Sequence, residues 1–459
     1  MKTTRFGRVG SSSVSSQAMG DLPITLQKHT TICLMGVALD SGDLGVVALS
    51  TALVGLVRQF CPDARIVLLV EHPSGESQTA LLGSEAVSVD VVNAQISRRV
   101  ALRDNLLFLP LLALYRRVHK RLRPHAVMPS RSRWVETVEQ ATWVGDIQGG
   151  DGFTDERGFL NFVAGCLPML TAIAAGRPPY LLPQSLSPCR SAPGRALMRF
   201  VAARTRGLFG RDLASVQVGI ALAGRFPAPP VELCHDIAFT LPVGAFPADA
   251  VSPALTGDGP IIGININGGM YSDGFRKQSS LNLALDYAGY IPELILALLA
   301  ADPTARILLI PHTAVPAGHP ESDADASDHV IAVLPEALRS RLHVLRGVTD
   351  PCRIKAAIGR CEFFIGSRLH ACIAALSQGI PTVGIADNWR FEGVFNSTEL
   401  HESVVEARLD EVGAALRFAM KKYGERAQTR EKLIAAAEQA NKRVREVFAT
   451  LLAPSRRPF

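Results

Sequence analysis

Residues 361–386 read CEFFIGSRLHACIAALSQGIPTVGIA, and their pattern decides the fold. Residues 362–366 form an apolar run with a sharp stop at Gly366, as a buried strand does. Ser367 is expected to cap a helix over 368–378, Gly379 to close it, and 381–386 to return as a second buried strand. Strand, helix and strand in this order make a parallel βαβ unit. The first helical turn then carries Ser367, Arg368, Leu369 and His370. Free backbone N–H groups and the positive end of the helix dipole favour an anion there, and Arg368 adds a planar pair of donors. The plainer reading is that Ser367 only caps and that Arg368 and His370 face solvent.

The same alternation extends on both sides. Strands are expected at 261–267, 306–311 and 342–346, a helix at 281–301, and a long charged helix at 409–452. Upstream, TICLMGVAL from Thr31, the turn DSGDLG, a helix over 46–60 and an apolar run at 65–70 open a second βαβ series. WVGDIQGGDG, PPYLLPQSLSP and GLFGRD each read as a strand delivering a loop to one sheet edge, where ligands of open α/β sheets bind. Residues 241–260 are rich in Pro, Gly and Ala and break the alternation. The expected organisation is a mobile extension at 1–28, a Rossmann-like domain at 29–245, a linker at 246–260, a second Rossmann-like domain at 261–425, and a helix with tail at 426–459. Two such α/β domains facing a cleft would make a GT-B-like architecture.

Composition narrows the chemistry. A chain of 459 residues with 47% hydrophobic and 20% charged residues is globular and large enough for two cores. Its eight cysteines show no paired spacing, so they are expected as buried thiols in a reducing cytoplasm. Lys2, Arg5 and Arg8 lead into SSSVSSQ rather than into the apolar stretch of a signal peptide. No apolar run reaches the length of a membrane span. The net charge of +6 is local: the first 134 residues hold 16 Lys and Arg against 9 Asp and Glu. Within them NLLFLPLLALY (105–115) runs into RRVHKRLRPHAVMPSRSRW (116–134). This stretch reads either as a solvated cationic helix or as a peripheral membrane contact, over 105–134, with anionic headgroups. No nucleic-acid motif accompanies it. No dinucleotide fingerprint, Walker A sequence or His/carboxylate cluster is found, so neither a cofactor nor a metal is expected.

In order along the chain, DSGDLGVVAL, GDIQGGDGF, PYLLPQSLSP, GLFGRDLAS, CHDIAF and the SRLHA…GIP segment resemble the polysaccharide pyruvyl transferase family over about residues 31–425. Pro183 replaces the family's usual glycine, Ser187 precedes Pro188, and ADNWRFEGVF follows the last strand in place of a Tyr/Lys-containing loop. The resemblance implies phosphoenolpyruvate as donor and a saccharide, polymeric or lipid-linked, as acceptor of a pyruvyl ketal in exopolysaccharide or cell-envelope synthesis. It implies that Arg211 and Arg368 hold the donor from opposite walls together with Ser367 and Leu369, that His370 is the acid, and that 261–425 is the donor-binding domain. Asp43, Gln184, Ser185 and His312 are candidates for acceptor contact or support, although a cap, a turn or a packed histidine would use the same residues. Asp146 and Asp151 share that ambiguity, and Gly268 and Gly269 suit close backbone approach. Two other functions stay open: a nucleotide-sugar glycosyltransferase on the same architecture, and a catalytically silent saccharide-binding scaffold.

Overall fold

The computed structural model describes residues 30–124, 131–148, 152–223, 229–273, 281–397 and 403–453. The expected extension at 1–28 and Asp151 lie outside the described residues. Two mainly parallel sheets organise the rest.

The first half contains β1 (Thr31–Met35), α1 (Leu44–Phe60), β2 (Arg65–Val70), β3 (Ser77–Leu82), β4 (Glu85–Asn93), α2 (Leu109–Leu122), α3 (Arg133–Gln140) and β5 (Trp143–Asp146). It continues with α4 (Phe159–Ala175), β6 (Tyr180–Gln184), α5 (Ala192–Ala202), β7 (Gly207–Gly210), α6 (Leu213–Ala223) and β8 (Val231–Leu233). The sheet order is β3-β4-β2-β1-β5-β6-β7-β8, with β3 antiparallel to β4. β1 is buried along its whole length, as a central strand covered on both faces must be. It stops at Met35 rather than running to Leu39, because Gly36 turns to a φ of 66°.

The second half contains β9 (Val251–Ser252), β10 (Ile261–Asn265), α7 (Gly268–Asp273), α8 (Tyr287–Ala301), β11 (Arg306–Leu309), α9 (Asp323–Val333), β12 (Leu342–Leu345), α10 (Pro351–Ile358) and β13 (Phe363–Gly366). It ends with α11 (Leu369–Leu376), β14 (Thr382–Ala386), α12 (Arg390–Ser397), β15 (Val404–Glu406), α13 (Val412–Gly424) and α14 (Arg426–Leu452). Its order is β15-β14-β13-β10-β11-β12-β9. The segment expected as a linker thus contributes β9, which pairs antiparallel with β12 at the sheet edge. The single charged helix expected at 409–452 is two helices meeting at Gly424 and Glu425.

That break lets α14 cross back onto the first domain. Val444, Val447, Phe448 and Leu452 share one buried cluster with Leu53 and Leu56 of α1. Asn441 donates to the Phe239 carbonyl and Arg443 to that of Leu233. Chain order reverses at β1/β5 in the first sheet and at β10/β13 in the second. Such switch points leave crevices at the carboxyl ends of the strands, and here the two crevices face each other.

Candidate active site

Between the two switch points lies a cavity of about 260 Å³. Asp43, Gly45, Val46 and Arg157 line it from the first domain, and Asn267, His312, Arg368, Leu369, His370 and Arg390 from the second.

On the first wall, Asp43 caps α1 by accepting from the Gly45 N–H at 2.8 Å. The loop around it is stitched to the second domain: the Leu44 N–H donates to the His312 carbonyl at 3.3 Å, and the Ala314 N–H to the Gly42 carbonyl at 2.8 Å. Burial alone would raise the Asp43 carboxyl, but His370 and His312 outweigh it and hold Asp43 below the usual carboxylate range. Asp43 is thus both a cap and a charge facing the cleft.

On the second wall, α11 begins at Leu369 with Arg368 as its cap residue. Ser367 was expected to cap this helix and does not: its hydroxyl is hydrogen-bonded to the Tyr287 hydroxyl at 2.6 Å. Asn265 Oδ1 accepts the N–H of Arg368 itself at 2.8 Å, just ahead of the first turn. The Arg368 guanidinium donates to Asp323 Oδ1 at 2.9 Å and to Glu321 Oε2 at 2.9 Å. Asp323 is fully buried and also accepts from the backbone N–H groups of Gly268 and His312 and from Asn265. Burial would lower Arg368, but the Asp323 and Glu321 charges more than compensate and raise it, so it is a permanent cation.

His370 stands in the first turn of α11, with its Nδ1 edge against Gly45 of the opposite domain. Its Nε2 lies 3.8 Å from Asp236 Oδ2 and is buried without a hydrogen-bond partner. The same Asp236 oxygen accepts from Arg211 Nη1 at 3.0 Å. Burial lowers the His370 pKa, Asp236 and Asp43 oppose that, and Arg211 and Arg390 reinforce it. The imidazole of His370 is therefore held below its ordinary range. His312, 2% exposed, is pushed down to about 4, chiefly by burial and against the pull of Asp43. Its Nδ1 likewise lacks a partner.

The structure thus brings Asp43, His312, Ser367, Arg368, Leu369 and His370 together around one cavity. Arg211 is not on its lining; it is 2% exposed and reaches His370 only through Asp236, with Nε and Nη2 buried and unpartnered. Arg211, expected as a second cationic wall, thus stands behind Asp236 and off the cavity lining. Gln184 and Ser185 are also buried off the lining, because the end of β6 tucks under the loop that carries Phe153. Gly269 lines the cavity, and Gly268 opens α7 where a Cβ would strike the Ser322 backbone. Arg157, Arg390 and Asp323 escaped the sequence reading. Arg390, in the divergent ADNWRFEGVF loop, was legible as a cation opening a helix after a strand.

A neighbouring cavity of about 330 Å³ lies wholly in the first domain and shares Val46 and Arg157 with the cleft. Glu71, His72, Gln148, Thr154 and Asn161 give it a polar lining over the apolar floor of Val37, Leu69 and Phe162. Asp146 lies off that lining at the end of β5, where burial and then the Glu71 charge push it up to about 7. Among the described residues no helix is long and apolar enough to cross a membrane, and no group of His, Cys, Asp and Glu is placed to hold a metal ion.

Solved structures share this architecture at low sequence identity. The E. coli trehalose-6-phosphate structure with UDP-2-fluoro glucose has a TM-score of 0.50 at 9% identity, over 93% of this chain and 100% of that one. The UDP-GlcNAc 2-epimerase of Neisseria meningitidis gives 0.50 at 8%, over 92% and 99%, and the Anabaena protein HepE with UDP gives 0.50 at 12%, over 92% and 98%. These likenesses show a GT-B fold. No curated protein matches the chain in sequence. The family model described as polysaccharide pyruvyl transferase matches residues 145–388, more than half of the chain, from β5 through the opening of the site to Asn388 on its lining. The chain therefore belongs to the polysaccharide pyruvyl transferase family.

Proposed function

We propose that the cleft transfers pyruvate from phosphoenolpyruvate to a saccharide as a ketal. One observation carries this reading: three guanidinium groups (Arg157, Arg368, Arg390) and the start of α11 converge on a small cavity that also holds a buried, neutral-leaning histidine. A donor with one phosphate and one carboxylate needs at least two cationic seats and a nearby acid. Arg368 is one seat, and Arg390 replaces Arg211 as the other.

In this mechanism the donor's negative charge raises His370, which gives its proton to the methylene carbon. A sugar hydroxyl attacks C2 and returns its proton to His370; the C2–O bond to phosphate breaks, and a second hydroxyl closes the ketal as the departing phosphate takes its proton. Asp43, facing His370, orients the attacking hydroxyl and favours the imidazolium. The acceptor sugar enters from the neighbouring first-domain cavity, whose wall at Val46 is next to Gly45 and hence to His370. The donor is a cytoplasmic metabolite, so the reaction is assigned to that compartment, in exopolysaccharide or envelope-glycan synthesis.

Calorimetric titration tests the donor. Saturable phosphoenolpyruvate binding by the wild type, weakened about 100-fold in Arg368→Ala, supports the reading. Binding of UDP but not of phosphoenolpyruvate moves it to a nucleotide-sugar glycosyltransferase. Binding of a saccharide alone, without donor, marks a silent scaffold.

A further inference from the structure

α2 is fastened to the first domain by one face only. Leu109, Ala113 and Arg116 are buried there, and Arg116 pairs with Glu136 at 3.3 Å and Glu139 at 3.0 Å on α3. The opposite face carries Leu111, Leu114, Tyr115, Val118 and Leu122, between 46% and 76% exposed. From Leu111 onward these recur at three- and four-residue steps, so they form one continuous apolar row along the helix.

Cations flank both ends of the row. Arg98 and Arg99 lie in the loop tied to its start, where Asn105 donates to the Ser97 carbonyl and the Leu106 N–H to that of Gln95. Lys120, Arg121 and Arg123 close its other end, all exposed. Between residues 95 and 124 there are eight Lys and Arg and one acid, Asp104, which is paired with Arg103. An apolar stripe bounded by arginines suits neither bulk water nor a purely apolar protein partner. It suits a surface with an apolar interior and an anionic skin, where the leucines enter the acyl boundary and the arginines stay among phosphates.

We propose that the outer face of α2 docks the protein onto an anionic lipid bilayer, with the helix lying in the plane of the headgroups. This assignment stands independently of the donor chemistry. One consequence rests on the proposed function: Asn161, Phe162, Ala164 and Gly165 of α4 line the first-domain cavity, so docking sets that cavity beside the bilayer, where a lipid-linked saccharide would present itself.

The test is co-sedimentation of the full-length chain with vesicles of phosphatidylcholine alone, or of phosphatidylcholine and phosphatidylglycerol in equal parts. Binding to the anionic vesicles at least about tenfold above the neutral ones, falling with salt, is expected. Leu111→Glu with Val118→Glu, and separately Arg121→Glu with Arg123→Glu, should each lose about tenfold with unchanged thermal melting. All four residues are exposed, so the fold does not depend on them. No sedimentation with either vesicle overturns the proposal. Reversible self-association that Leu111→Glu abolishes, without lipid binding, assigns the face to a second copy of the chain and equally overturns it.

Discussion

Gly45 and His370 touch across the cleft: a methyl group on residue 45 would overlap the imidazole Nδ1. Gly45 belongs to the first turn of α1 and His370 to the first turn of α11, so this contact sets the spacing of the two domains at the site. Gly45→Ala, an otherwise helix-favouring change, is expected to displace His370 and cut turnover about 100-fold. Steady-state kinetics beside a thermal melt checks this; unchanged turnover would show that the contact is dispensable.

Asp236 binds Arg211 and faces His370 with the same oxygen. Asp236→Asn leaves the 2%-exposed Arg211 cation without its counter-charge, which is expected to cost about 3 kcal/mol in urea unfolding. The same change removes the charge that raises His370, so the pKa at which kcat/KM falls with rising pH should move down. A stability loss without that shift would make Asp236 a purely structural partner of Arg211.

The pH profile of the wild type carries a sign. His370 in the free protein is held below its ordinary 6.5, and a general acid must be protonated to act. kcat/KM for phosphoenolpyruvate should therefore fall as pH rises through a value under 6.5. kcat should persist to higher pH, because the bound phosphate and carboxylate stabilise the imidazolium. His370→Gln should abolish turnover with donor affinity kept within about twofold. A profile that rises with pH over the same window would make His370 a base instead.

α14 ties the end of the chain to the first domain through Phe448, which is fully buried in the cluster with α1. Phe448→Ala is expected to destabilise the protein by about 3–5 kcal/mol, measured by urea unfolding. A loss under about 1 kcal/mol would mean that the helix contributes little to that core.

The residues at 361–386 show how far local pattern reaches. Apolar runs bounded by Gly366 and Gly379 specified strand, helix and strand to within a few residues, because burial on both faces and glycine stops are properties of neighbours in sequence. The same stretch misled at Ser367: serine before a helix is normally its cap, but here Tyr287, 80 residues away, takes the hydroxyl. Asp323 was invisible for the related reason that its five acceptor contacts come from residues 265, 268, 312 and 368. Arg211 and Arg390 make the point in opposite directions, one on a family motif yet buried behind Asp236, the other in a divergent loop yet on the cavity wall.

By itself, then, the sequence determined two parallel α/β halves, the family, and the turn in which Arg368 and His370 stand, all of which follow from periodicity and contiguous motifs. Only the tertiary structure decided which cations line the cleft, which carboxylates neutralise them, and that His370 meets Gly45. Those choices depend on how two sheet edges face each other once α14 has crossed back onto the first domain, and the residues that meet there are hundreds of positions apart in the chain.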